Sequence, residues 1–144
     1  MQTREILRIK GAVLYTGSPE ALLTDALATM VEHDIGSLVI VEDGSLAGML
    51  SFREVLRAIH ANKGSIHGIR VKDVMVRSPR TVGPEMDVDD LRRAMLESHV
   101  RYMPVMEGES LAGVLSFHDV AKAVLEEQAF ENRMLKGYIK NSRE

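Results

Sequence analysis

Ser45-Leu46-Ala47-Gly48-Met49-Leu50-Ser51-Phe52-Arg53-Glu54-Val55 returns 65 residues later as Ser110-Leu111-Ala112-Gly113-Val114-Leu115-Ser116-Phe117-His118-Asp119-Val120. Self-similarity at one fixed offset marks a duplicated structural unit, so this pair of stretches decides the fold. The register holds upstream without a gap. Thr16, Pro19, Glu20, Asp25, Met30, Glu32 and Glu42 fall on Thr81, Pro84, Glu85, Asp90, Met95, Glu97 and Glu107, and downstream Ala58 falls on Ala123.

Both copies carry the same order of elements. A short extended run comes first, Ala12 to Thr16 or Arg80 to Val82. Pro19-Glu20 and Pro84-Glu85 read as helix starts, because proline and an acid suit the first turn. Leu22, Ala26, Leu27 and Met30 then form one apolar helical face, as do Val88, Leu91 and Met95. The strand Ser37 to Val41, or Tyr102 to Met106, follows. Turn-rich Glu42-Asp43-Gly44-Ser45 and Glu107-Gly108-Glu109-Ser110 predict hairpins into Leu46 to Leu50 and Leu111 to Leu115. A second helix begins at Ser51 or Ser116, with Val55, Ala58 and Ile59, or Val120, Ala123 and Val124, facing inward. The unit is β-α-β-β-α, and the fold class is α/β (α+β).

A unit of about fifty residues is marginal on its own, so the two copies are expected to cover each other in one globule with approximate two-fold internal symmetry. The expected boundaries are 1–65 for a short N-terminal helix (Thr3 to Lys10, ended by Gly11) plus the first copy, 66–126 for the second copy, and 127–144 for a helical tail. Ala61 to Gly68 reads as the connecting loop. Ala129, Phe130, Met134 and Tyr138 give the tail an apolar set that needs cover, which fits a dimer contact. Pro104 inside a strand predicts an edge position or a bulge.

Composition excludes several classes. Hydrophobic residues make up 45% and charged residues 27% of 144, with a net charge of -3. There is no basic footprint for nucleic acid and no like-charged tail. Cysteine is absent, which removes disulfides, thiolate metal sites and a cysteine nucleophile. The polar start and strand-sized apolar runs predict no signal peptide and no membrane span, hence a cytoplasmic protein. His33, His60, His67, His99 and His118 show no metal-ligand spacing, and the nine methionines read as core filler. No nucleophile with a paired base and no Walker or Rossmann glycine pattern is present, so an enzyme is not expected.

The start of a helix offers unpaired N–H groups and the positive end of its dipole, a ready seat for phosphate. Ser51 and Ser116 stand at such junctions. Arg53 follows in the first copy, and a guanidinium fork suits phosphate. In the second copy His118 takes that place, with Arg101 able to reach over. Asp119 can accept from both hydroxyls of a ribose, and Glu54 occupies the same position with one more methylene. The same Ser-x-x-acid spacing is equally a capping box, so helix capping stands as the alternative role. Arg77 and Arg80 could reach a phosphate from the domain entrance, but an ordinary solvated role is the expectation for both.

The segments Gly48 to Glu54 and Gly113 to Asp119 resemble the glycine–hydrophobic–hydrophobic–serine pattern of the cystathionine-β-synthase (CBS) domain. Val74 to Pro84 is similar to the opening of a second such domain, and Val100 to Val105 to the family's central strand. The resemblance implies a CBS pair, or Bateman module, that binds adenine nucleotides between its repeats. The implied ligands are AMP above all, with ADP, ATP, S-adenosyl compounds and NAD(H) possible, and no required cofactor. It implies Ser116, His118 and Arg101 at phosphate, Asp119 at ribose, and the segment near Thr81 and Val82 beside the base. For the first copy it implies Ser51, Arg53, Glu54 and the segment near Thr16. The second copy is expected to be better equipped, since Glu54 replaces the usual aspartate and Gly36 stands where the second copy has Arg101, with each cleft able to draw residues from both repeats. It further implies a homodimer that acts on an effector protein in trans. An NAD(H) sensor and a ligand-free dimerisation scaffold are the alternatives.

Overall fold

The computed structural model describes residues 1–11 and 13–142, with side chains up to Gly137, so Ala12 of the first extended run and the Tyr138 side chain lie outside the described residues. The first copy contains β1 (Thr16–Gly17), α2 (Leu23–Glu32), β2 (Ser37–Glu42), β3 (Ser45–Ser51) and α3 (Phe52–Ala61), preceded by α1 (Thr3–Lys10). The second is led in by α4 (Val71–Val74) and β4 (Val76–Arg77), then runs through α5 (Val88–Ser98), β5 (Tyr102–Glu107), β6 (Ser110–Ser116) and α6 (Phe117–Ser142).

The duplication is visible in the hydrogen bonding. β1 pairs parallel with β2 through Gly17 and Ile40, and a single parallel bridge joins Val82 to Val105 at the matching place. Both hairpins are antiparallel and slip register at the same point, between Ile40 and Val41 and between Val105 and Met106. Pro104 sits one residue before that slip. Its carbonyl accepts from Val82 N–H at 3.2 Å. The N and O of one strand residue point to the same side, so the missing N–H faces that sparse flank and costs the β5–β6 hairpin nothing.

Each copy has its own core. Leu23, Leu38, Ile40, Leu50 and Val55 anchor the first; Leu91, Met95, Met103, Leu115 and Val120 anchor the second. The cores are closed crosswise. Ile6 of α1 is buried in the second core, and Val71 of α4 is buried in the first. The free N–H groups that begin these two helices find equivalent acceptors. Thr3 and Arg4 donate to the carbonyls of Met86 and Pro84, and Val71 and Lys72 donate to those of Ala21 and Pro19. Helix N-termini leave such donors unpaired unless something outside the helix accepts them.

These contacts correct the expected helix starts. Pro19-Glu20 and Pro84-Glu85 lie in turns, and the helices begin at Leu23 and Val88. The proline carbonyls are already committed to α4 and α1, and Asp87 caps α5 by accepting from Asp89 N–H at 3.1 Å. The extended runs are also shorter than expected: two residues in β1, and one bridge at Val82. The short helix α4 and strand β4 went unread. The tail is no separate helix, because α6 continues without a break from Phe117 to Ser142. Leu125, Phe130, Met134 and Leu135 are exposed along α6.

Candidate functional site

Among the described residues two clefts at the junction of the copies lie at strand-to-helix corners, and a larger open depression of about 720 Å³ between α3 and α5 also takes in Arg53, Arg57 and Arg101. At β3–α3 the Ser51 hydroxyl accepts from Arg53 N–H at 3.3 Å, and Glu54 accepts from Ser51 N–H at 2.9 Å and from its hydroxyl. At β6–α6 Asp119 Oδ2 accepts from Ser116 N–H at 2.8 Å while Asp119 N–H donates to the Ser116 hydroxyl at 3.0 Å. Both corners are therefore capping boxes, and capping is a settled role for Ser51, Glu54, Ser116 and Asp119. Phe52 N–H at α3 donates to the Gly36 carbonyl at 3.0 Å and Phe117 N–H at α6 to the Arg101 carbonyl at 2.7 Å, so most first-turn donors are already paired, and a phosphate there would have to displace or share them. Asp119 Oδ1 accepts no bond among the described residues.

The Ser51 cleft has a volume of about 240 Å³. Ser51, Arg53, Glu54 and Arg57 come from the first copy, Pro79 and Arg80 from the lead-in to the second, and Arg101 from the second copy itself. Arg53 and Arg57 are one helical turn apart, so both reach it from one face of α3. The Arg101 guanidinium lies 5.4 Å from the centre of the Phe52 ring, and Arg80 donates to the Ser98 hydroxyl at 2.6 Å. Among the described residues none of these four arginines pairs with a carboxylate.

The Ser116 cleft, about 370 Å³, is built differently. Its walls are Lys10, Val13 to Tyr15, Ile35 to Ser37, and Tyr102 beside Ser116. Lys10 donates to Asp119 Oδ2 at 2.8 Å and to the Val114 carbonyl at 2.9 Å. A Cβ at Gly36 would run into the Tyr102 hydroxyl, so a side chain there would have to displace the tyrosine. The tyrosine thus fills the space that a side chain would take, which explains why Arg101 has no counterpart in the first copy. Burial pushes the Tyr102 phenol above its ordinary value, with Arg101 opposing and Asp119 adding to the rise.

The expected site residues are thus partly brought together. Ser51, Arg53 and Glu54 share one cleft. Arg101, Ser116 and His118 meet in an adjoining open depression of about 400 Å³. Thr81 and Val82 do not stand beside Ser116: Val82 is buried in the second core and Thr81 is exposed. The segment across from Ser116 is Val13 to Tyr15, and the one across from Ser51 is Pro79-Arg80, so the lead-in chains cross over. Thr16, like Thr81, is exposed one residue beyond its segment. Arg80, expected to be an ordinary surface residue, lines the Ser51 cleft. Lys10, Arg57, Tyr15 and Tyr102 were missed; only Arg57 carried a local signal, its helical spacing from Arg53.

Burial pushes the Asp119 carboxyl up, but the Lys10 and Ser116 hydrogen bonds and the Lys10 charge outweigh it and hold the group below its ordinary 3.8. As pH falls, the unfolded chain takes up this proton before the folded one. The stabilisation is therefore complete above pH 3.8 and is lost as pH drops through the lower folded value. Asp119→Asn should flatten the acid limb of a melting-temperature profile below pH 4 or so. An unchanged acid limb would show that the Lys10 contact carries no stability.

Among the described residues no helix is long and apolar enough to cross a membrane, and no group of three or more His, Asp or Glu gathers where it could hold a metal ion.

A duplicated β-α-β-β-α unit, crosswise closed cores and a cleft at each strand-to-helix corner define a tandem paired-domain architecture. The chain belongs to the CBS-domain family, whose model matches residues 14–61 and 71–126. It is 33% identical over 120 residues to the mitochondrial CBS domain-containing protein CBSX3 of Arabidopsis thaliana, covering 80% of this chain and 58% of that protein, less than two thirds of the relative's length. A CBS-domain protein from Burkholderia ambifaria superposes with a TM-score of 0.82 at 29% identity, over 89% of this chain and 96% of that one. CBSX2, solved in complex with AMP, superposes with a TM-score of 0.74 at 25% identity, over 88% and 98%.

Proposed function

We propose that this chain is a regulatory module that binds an adenine nucleotide, AMP or a close relative, between its two repeats and passes the signal to an effector protein in trans. The observation that carries this reading is the corner geometry. The Ser51 cleft is lined by a serine, a carboxylate and the first turn of a ten-residue helix, and the Ser116 cleft is lined by a serine whose hydroxyl and N–H are bonded to Asp119 just beyond it. A hydroxyl, a carboxylate and a helix start are groups that suit the phosphate and ribose of a nucleotide. The AMP complex of CBSX2, a similar fold, supports it. The module senses the nucleotide and returns it unchanged. Ribose at Asp119 competes with Lys10 for the same carboxylate, so binding bears on the end of α1. A ligand that favours one of two arrangements shifts the population between them. Exposed Leu125, Phe130 and Met134 on α6 offer the apolar surface that a homodimer or an effector contact needs.

The test is a thermal-shift panel with AMP, ADP, ATP, NAD, NADH and S-adenosylmethionine on protein stripped of nucleotide. A ligand at a hundred times its dissociation constant stabilises by about 2.7 kcal/mol, roughly 5–10 °C for a chain of this size. A shift with AMP or another mononucleotide supports the reading. A shift with NADH alone selects a dinucleotide sensor, and no shift with any of them selects a dimerisation scaffold.

A further inference from the structure

We propose that the two clefts sort ligands by phosphate charge, the Ser51 cleft taking a nucleotide with two or more phosphates and the Ser116 cleft taking a nucleoside or monophosphate. This rests on the nucleotide-sensor reading and adds an anionic ligand class to one half of it. Arg53, Arg57, Arg80 and Arg101 converge on the Ser51 cleft. None pairs with a carboxylate among the described residues. Glu54 is the one acid on that wall, and it is occupied by the Ser51 N–H and hydroxyl. Like charges gathered without counter-charge repel, and a polyphosphate relieves that repulsion while filling several guanidinium forks at once.

The Ser116 cleft offers the opposite chemistry. Its one cation of its own, Lys10, is already bound to Asp119 at 2.8 Å. The remaining wall is Val13, Leu14, Ile35 and two tyrosines, suited to a base and sugar. A chain of phosphates finds no free partner there. Arg101 also borders the depression beside Ser116 and His118, so that side offers one guanidinium to a phosphate against the four around the Ser51 cleft.

Titration calorimetry with ATP, AMP and inorganic tripolyphosphate, without divalent cations and at two salt concentrations, tests the sorting. Wild type is compared with Arg53→Ala/Arg80→Ala and with Arg133→Ala, a charge control on the exposed part of α6. Both cleft arginines are exposed, so the double variant should fold, and its melting temperature confirms that. The wild type should bind ATP at least about tenfold more tightly than AMP at one site, equivalent to about 1.4 kcal/mol. That preference should shrink with added salt. It should vanish in the double variant and survive in Arg133→Ala. Equal affinities for ATP and AMP in wild type, or a preference that outlives both arginines, overturn the sorting and leave the sensor reading standing. Tripolyphosphate binding that needs the arginines, with no binding of any nucleotide, overturns the sensor reading and keeps the anionic cleft.

Discussion

Ile6→Ala should loosen the second repeat, whose core residues Val82 to Ala123 lie more than seventy residues downstream, and leave the first repeat comparatively intact. Ile6 is only 3% exposed and packs among Val88, Leu91, Met103 and Leu115. Removing a buried isoleucine side chain to alanine costs about 3 kcal/mol, a fall in melting temperature on the order of 10 °C here. Neighbouring contacts deepen the dependence, because Thr3 is fully buried and its hydroxyl donates to the Met86 carbonyl at 2.8 Å. Hydrogen exchange locates the damage. Amides of β5, β6 and α5 should exchange faster, while those of β2 and β3 change little. Val71→Ala in α4 should give the mirror pattern, since Val71 is fully buried in the first core. Faster exchange confined to β2 and β3 in Ile6→Ala would contradict the crosswise closure.

That closure also marks the boundary of what was legible in the sequence. The repeat at 65 residues gave the hairpins, the second helices and the apolar faces, because within each unit the spacing of apolar residues follows directly from the element they form. It lost the thread at the lead-ins. Leu7 packs against Gly113 and Met75 against Gly48, an offset of 68 residues. The first copy has three more residues between lead-in helix and strand, so a gapless register passes over the relation between α1 and α4. The helix starts were misread for a related reason. Pro-Glu is a sound local signal for a first turn, but the carbonyls of Pro19 and Pro84 serve as acceptors for a helix from elsewhere in the chain.

The candidate site divides along the same line. Ser51 with Glu54, and Ser116 with Asp119, were readable because a capping box is a spacing rule. Their partners across each cleft were not, because the pairing of Ser51 with Pro79-Arg80 and of Ser116 with Val13 to Tyr15 is tertiary. The expectation that the second copy is the better equipped for phosphate changes once the chain is folded. Arg80 and Arg101, both numbered in the second copy, stand with Arg53 and Arg57 of the first.

Gly48→Ala should be the most damaging of the glycine substitutions in the duplicated strands, and Gly113→Ala clearly milder, although the two occupy equivalent positions. A Cβ on Gly48 would sit 2.6 Å from the Val76 carbonyl oxygen and 2.9 Å from the Met75 sulfur. The first is backbone of β4, held against β3 by the pairings of Gly48 with Arg77 and Met49 with Val76. It cannot retreat without breaking that ladder. The Gly113 Cβ would meet only the tip of Leu7, at 2.8 Å, and a leucine can change rotamer. Overpacking of this kind costs about 3 kcal/mol when backbone must move and about 1 kcal/mol when a side-chain tip yields. β4 leads directly into Pro79-Arg80, so Gly48→Ala should also displace one wall of the Ser51 cleft and weaken ATP there more than AMP at the Ser116 cleft. Urea unfolding of the two variants, each with its nucleotide titrations, checks both halves. Equal stability losses would mean that β4 yields as freely as a leucine tip, and that the lead-in strand does not hold the cleft wall in place.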